Sequence, residues 1–201
     1  MMAEEGTPVE ETPTVVVDTS IFVNPDTRHL LGHSVDEAII NFSKLVRERG
    51  IRVYIPVSIF KELGHFASQE AMDALRVHAV VRAPDLFSLQ IPAAVLHFFI
   101  RDVRQRIDRG LRVAEQAARS ENSAETVRRL REKYREVLRS GIVDSVEDLD
   151  VVLLAKETHA AILSADMGIR NLAETLGIEV FSLRDFLLKY GVTPPTSQED
   201  R

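Results

Sequence analysis

Thr14-Val15-Val16-Val17-Asp18-Thr19-Ser20 is the stretch from which the rest of the chain can be read. Four residues of high β-propensity run into a carboxylate and two hydroxyls, the pattern of a buried strand ending at the mouth of a sheet. Open α/β sheets gather functional groups outside the carboxyl ends of their strands, so Asp18 stands where chemistry is usually done. Two later segments are placed to join it. Asp144-Ser145-Val146-Glu147-Asp148-Leu149-Asp150 opens an apolar helical run, and Ala161-Ile162-Leu163-Ser164-Ala165-Asp166 is a second strand closing on an aspartate. Alone, Asp18 could equally cap a turn; the three segments together point to a shared acidic centre.

Outward from that strand, Asn24-Pro25-Asp26 breaks the chain, and Ser34-Val35-Asp36-Glu37 has capping-box spacing ahead of Ala38, Ile39, Phe42, Leu45 and Val46. Those apolar positions recur at helical intervals, and Gly50 ends the helix. Ile51–Ile55 reads as a second strand, with Pro56 barring its extension. Strand, helix and strand in this order predict a parallel α/β unit with a right-handed crossover. A helix from Val57 carries Ile59, Phe60, Leu63 and Phe66 and brings Glu62 toward the same mouth, where a merely solvated glutamate is the competing reading. A short helix around Met72–Val80 follows, and the state of Leu86–Leu89 is not specified.

Beyond residue 140, Asp144 or Ser145 caps a helix in which Asp144 and Asp148, four apart, share one side near the N-terminus, where the backbone dipole favours negative charge. Asp150 lies about 200° around the helix from Asp148, so the two cannot both point squarely at one ion. His159–Ser164 is the next strand, Met167–Leu176 a helix ended by Gly177, and Ile178–Phe181 a last strand. Ser182 to Asp185 caps a final helix through Tyr190. The expected organisation is a loose acidic tail over residues 1–12, an α/β domain in two parts over 13–90 and 141–192, a helical hairpin over 91–140 and a polar tail over 193–201.

A length of 201 residues with 45% apolar composition suits one compact domain with an insertion. There is no cysteine, which excludes disulfides, thiolate metal sites and thiol chemistry and agrees with a reducing, cytoplasmic setting. No charged leader precedes a signal-like run, and no apolar stretch is long enough to suggest a membrane span. The net charge of −6 argues against a nucleic-acid partner only if the basic residues are evenly spread. They are not. Between Arg101 and Arg139 stand twelve lysines and arginines against seven acids, almost half of the 25 basic residues in the chain.

That segment predicts two helices, Ala93–Arg119 and Ala124–Arg139, whose apolar positions are spaced to pack together: Val95, Phe98, Phe99, Val103, Ile107, Leu111 and Ala114 on one, Val127, Leu130, Tyr134, Val137 and Leu138 on the other. Three roles compete for its charges. They form a self-compensating solvated face, grip a phosphate backbone, or pair with another subunit. Arg128, Arg129, Arg131 and Arg135 are the candidates for RNA contact.

Three or four carboxylates converging without lysine or arginine in the same motifs are costly unless something positive enters. All-oxygen ligands with room for water favour Mg²⁺, with Mn²⁺ as a substitute, over zinc. Such an ion lowers the pKa of bound water and stabilises charge on a phosphoryl oxygen, which makes phosphodiester hydrolysis the leading chemistry. Neither a Walker-type loop nor a dinucleotide-binding glycine turn is present.

Val15-Val16-Val17-Asp18-Thr19-Ser20, Glu62 within Pro56–Leu63, Asp148 ahead of Leu149–Ala155, and Ser164-Ala165-Asp166 resemble the ordered acidic motifs of PIN-domain nucleases, as does the separation of Asp148 from Asp166. The opening Asp18–Pro25, the arginine-rich insertion and Gly141-Ile142-Val143-Asp144-Ser145-Val146-Glu147-Asp148-Leu149-Asp150 resemble, more narrowly, the small protein-only ribonuclease P proteins, homologues of the Aquifex enzyme that are sometimes labelled RNA-ligase partner. The resemblance covers about residues 14–192. It implies a PIN-like three-layer α/β/α domain with a mostly parallel sheet and an inserted hairpin, and a metal-dependent endonuclease that removes the 5′ leader of precursor tRNA without a catalytic RNA. The family's catalytic and metal-binding aspartates fall on Asp18, Asp144, Asp148 and Asp166, with Asp150 and Glu62 as further candidate ligands. Ser164 stands where many PIN domains have threonine, and the hydroxyl is kept. The resemblance also implies a large homo-oligomer assembled through the insertion. A PIN-type toxin or rRNA-processing ribonuclease, and a non-catalytic oligomeric RNA-binding protein, remain as alternatives.

Overall fold

In a computed structural model, which describes residues 12–119, 124–139 and 145–192 except for the side chains of 124, 126 and 135–139, five parallel strands form one sheet. They are β1 (Thr14–Val17), β2 (Arg52–Ile55), β3 (Ala79–Val81), β4 (Ala161–Leu163) and β5 (Val180–Phe181), in the order β3-β2-β1-β4-β5. β1 is central, pairing Val15 with Val53 of β2 on one side and with Ala161 of β4 on the other. From β1 the chain winds outward through β2 and β3, then returns to lay β4 and β5 on the opposite side. The order therefore reverses between β1 and β4, which places a topological switch point at their carboxyl ends.

Flanking this sheet are α1 (Ser20–Val23), α2 (Pro25–Arg28), α3 (Val35–Glu48), α4 (Val57–Leu63), α5 (Gln69–His78), α8 (Val146–Thr158), α9 (Met167–Thr175) and α10 (Leu183–Lys189). The fold is of the α/β class that the sequence predicts. Local chemistry starts most of these helices. Ser34 accepts from the Glu37 N–H at 3.1 Å, while the Glu37 carboxylate reaches back to the His33 N–H at 2.8 Å. Ser145 and Ser182 cap α8 and α10 in the same way, and Gly50 closes the α3 turn with a positive φ of 61° that side chains disfavour. α3 buries Ala38, Ile39, Phe42, Leu45 and Val46, and Phe42 meets the Phe22 ring edge-on at 5.3 Å. α8 is enclosed more completely: Val151 to Ala155 are all buried, because it packs against β1, β4, α4 and α9 at once.

The structure corrects the sequence at one strand. The helix expected over Met72–Val80 stops at His78, and Ala79, Val80 and Val81 pair with Val53, Tyr54 and Ile55. A three-residue strand with no break before it carries no periodicity of its own; two β-branched residues become a strand because the edge of β2 offers a ladder. The strand expected from His159 likewise begins at Ala161, since His159 adopts the left-handed conformation that terminates α8.

Between β3 and α8 stand α6 (Ala93–Ala118) and α7 (Ala124–Arg139), within a residue of the predicted spans. They pack on each other, with Gly110 of α6 against the Tyr134 ring of α7. A Cβ there would stand 2.8 Å from Tyr134 Cε2, so a larger residue would displace the ring. The apolar seam is narrower than expected. Val95 is buried, but Phe99, Ile107 and Leu111 are 56%, 61% and 57% exposed. The apolar stripe of α6 is wider than the single face that α7 covers. Among the described residues no helix is long and apolar enough to cross a membrane.

Candidate active site

Asp18 follows β1 directly. Its N–H extends the ladder by donating to Leu163 O at 3.1 Å, which fixes the residue at the switch point between β1 and β4. The side chain is only 4% exposed. Its Oδ2 accepts from the Ser20 N–H at 3.2 Å, from the Ser20 hydroxyl, and from the Ser164 hydroxyl at 2.8 Å. Burial pushes the Asp18 carboxyl above the usual carboxylate range, and the hydrogen bonds from Ser20 and Ser164 oppose that rise without cancelling it. Asp18 is thus a carboxylate held in a fixed orientation at a cost, the condition in which a cation is most welcome.

The two hydroxyls tie the strands together. Ser164 Oγ also accepts from the Asp166 N–H at 2.9 Å, and Ser20 Oγ accepts from the Ala165 N–H at 2.9 Å. The turn after β4 is therefore held on the turn after β1. Asp166 emerges from it as the cap of α9, accepting from the Ile169 N–H at 3.0 Å. The sequence assigns no role to Ser20 beyond its place after Asp18; an Asp followed two residues later by Ser is the signal of a side chain closing on its own turn.

Around these turns opens a cavity of about 960 Å³. Among its lining residues are Asp18, Asp148, Asp166 and Glu62, so four of the six candidate acids share one hollow. Asp148 lies in the first turn of α8, where Ser145 Oγ accepts its N–H at 3.0 Å and the helix dipole favours negative charge. Glu62 reaches the mouth from α4 and accepts from the Thr19 hydroxyl at 2.8 Å. Asp150 does not line it. Its Oδ2 accepts at 2.6 Å from the hydroxyl of Ser58, a residue of the lining, and so links α8 to α4. Asp144 lies outside the described residues. Glu147, to which the sequence assigns no role in the site, also lines the cavity.

Among the described residues the lining is strongly acidic: Asp18, Glu62, Glu147, Asp148 and Asp166, against the lysine Lys61. Every donor among the acids is an oxygen, which suits a hard divalent ion and not a thiophilic one. Among the described residues no three acidic or imidazole side chains are gathered closely enough to hold an ion by themselves.

On the hairpin, Arg128 and Arg129 are well exposed and pair with acids on their own helix, Arg128 with Glu132 at 3.5 Å and Arg129 with Glu125 at 2.6 Å. Exposed pairs of this kind contribute little and exchange readily for a phosphate. Arg131 is exposed, and the Arg135 side chain lies outside the described residues.

Residues 14–189 match the family model of the PINc domain ribonucleases. The RNA-free ribonuclease P of Halorhodospira halophila is 42% identical over 175 residues, covering 84% of this chain and 85% of that protein. The RNA-free ribonuclease P of Thermococcus kodakarensis is 41% identical over 172 residues, covering 82% and 87%, and that of Thermodesulfovibrio yellowstonii is 38% identical over 182 residues, covering 87% and 93%. The match runs through both halves of the sheet and the acidic cavity they enclose, and the chain belongs to the RNA-free ribonuclease P family of PINc-domain ribonucleases.

Proposed function

We propose that this endoribonuclease removes the 5′ leader of precursor tRNA by hydrolysing one phosphodiester bond, with no RNA subunit. The observation that carries the reading is the Asp18 carboxylate, buried at the β1/β4 switch point and clamped by Ser20 and Ser164 beside a cavity lined with acids, in a chain of this family. Asp18, Asp148 and Asp166, with Asp144 from the segment before α8, hold Mg²⁺ or Mn²⁺, and Glu62 stands beside them. When bound, the ion supplies an activated water and neutralises charge developing on the phosphoryl oxygens. The protein's own residues prepare for it. Ser164 and Ser20 fix the carboxylate of Asp18, the cap on α9 fixes that of Asp166, and the first turn of α8 presents Asp148. Asp150 acts at a distance, holding α8 against α4 through Ser58.

The nuclease domain comprises residues 13–90 and 141–192, and the hairpin over 91–140 is an insertion that measures the substrate. Arg128, Arg129, Arg131 and Arg135 contact backbone phosphates and follow A-form shape without reading bases. The apolar residues that α7 leaves uncovered on α6, Phe99, Ile107 and Leu111, support assembly of the hairpins into a homo-oligomer. The test is cleavage of precursor tRNA by nuclease-treated, purified protein. Cutting that requires added Mg²⁺ and stops in EDTA supports the reading; protein that binds the substrate and leaves it intact at every metal concentration refutes it.

A further inference from the structure

α4 separates two hollows. On one side Ser58, Lys61, Glu62, His65 and Phe66 face the acidic cavity. On the other, Phe60, Lys61 and Gly64 border a groove of about 350 Å³ completed by Ala67, Met72 and Arg76. Lys61 lines both. It is exposed, and among the described residues it has no ion pair or hydrogen bond, although Glu62 is its neighbour in sequence and Asp73 borders the same groove. Asp73 is engaged elsewhere, accepting from Gln69 Nε2 at 2.8 Å. Arg76, also exposed, lays its guanidinium over the Phe60 ring at 5.1 Å from the centroid. The groove thus offers apolar residues in Gly64, Ala67 and Met72, an exposed arginine set over the Phe60 ring, and an uncommitted ammonium shared with the acidic cavity.

We propose that this groove receives a nucleotide of the single-stranded 5′ leader, its base on the Arg76 guanidinium and a leader phosphate against Lys61. The inference rests on the reading of the chain as a leader-removing nuclease. A single strand can splay its bases onto aromatic rings or guanidinium planes, whereas the mature 5′ nucleotide is paired in the acceptor stem and a duplex cannot enter a groove of this size. Charge complementarity agrees. Lys61 stands among the described residues as the lysine on an otherwise acidic lining, so it offers the local attraction that draws a phosphodiester from the groove toward the carboxylates. Arg76 and Lys61 are positioning residues in this scheme and take no part in the chemistry.

The experiment compares precursor tRNAs that differ only in leader length, a single nucleotide against several, under steady-state conditions. For Arg76→Gln and for Lys61→Gln, the ratio of kcat/KM for the long over the short leader falls about tenfold relative to the parent, mostly through KM, as expected for one stacked base or one phosphate held by an ammonium. Arg76→Lys keeps the charge, loses the flat face and recovers only part of the ratio. A 4-thiouridine placed in the leader beyond the nucleotide next to the cut crosslinks to the parent protein between Phe60 and Arg76, a readout independent of how the variants fold. Equal losses on both leaders, or a crosslink that maps elsewhere, overturn the leader groove and leave the nuclease reading standing. A parent protein that cuts neither substrate overturns both.

Discussion

The Ser164 hydroxyl donates to Asp18 Oδ2 at 2.8 Å, joining the turn after β4 to the turn after β1 across the switch point of the sheet. The Ser164 oxygen in turn accepts the Asp166 N–H, so one hydroxyl orients the Asp18 carboxylate and anchors the backbone of Asp166. Replacing Ser164 with alanine should lower cleavage by about 10–100-fold, the usual cost of removing a group that orients a metal ligand. Ser164→Thr retains the hydroxyl and should retain most activity, measured as single-turnover rate at saturating Mg²⁺.

Asp18→Asn separates function from stability. Burial raises the folded-state pKa of Asp18, so this group favours folding below the unfolded pKa and loses that contribution as pH rises through the folded one. Above the unfolded-state pKa and without metal, burial of this carboxyl therefore destabilises the native state. Asp18→Asn should abolish cleavage yet raise the unfolding midpoint in EDTA, by about 2–4 °C for each kcal/mol relieved. Calorimetry of both proteins in EDTA, repeated with Mg²⁺, reads the difference; added metal should stabilise the parent and leave the variant unmoved.

The acids of α8 should divide by position. Asp148→Asn is expected to remove most cleavage while leaving RNA binding largely intact, because it faces the cavity. Asp150→Asn should cost about 1 kcal/mol of stability through the Ser58 hydrogen bond, with a smaller loss of rate. Equal losses of rate for the two, in folded proteins, would place Asp150 beside the ion.

Much of this architecture is legible in the amino-acid order. Asp18 and Asp166 end strands whose apolar runs are unambiguous, and Ser34, Ser145 and Ser182 announce helices through short-range capping that needs no tertiary context. β3 is not legible, because three residues after a helix become a strand only when β2 supplies the ladder. The exposed side of α6 is hidden for a related reason. Periodicity marks Phe99, Ile107 and Leu111 as apolar, but which of them α7 covers depends on how the two helices pack. Glu147 and Lys61 enter the cavity lining through the placement of α8 and α4, which no local pattern encodes.

For the hairpin, glutamine at Arg128, Arg129 and Arg131 should weaken binding of different precursor tRNAs alike. The logarithmic salt slope should fall by about 0.7 to 0.9 for each phosphate that the protein no longer neutralises. Light scattering on the same samples separates RNA contact, where size is unchanged, from contact between subunits, where the assembly dissociates. No change in affinity, slope or size would assign these three residues to a solvated face.

The most direct test of the central claim is the chemistry of the product ends. Precursor tRNA incubated with the nuclease-treated protein and Mg²⁺ should yield a single cut, a 5′ phosphate on the mature tRNA and a 3′ hydroxyl on the leader, the ends left when water attacks phosphorus and the leader's 3′ oxygen departs. A 5′ hydroxyl on the tRNA with a cyclic phosphate on the leader, or scattered cuts that persist in Asp148→Asn, would contradict it.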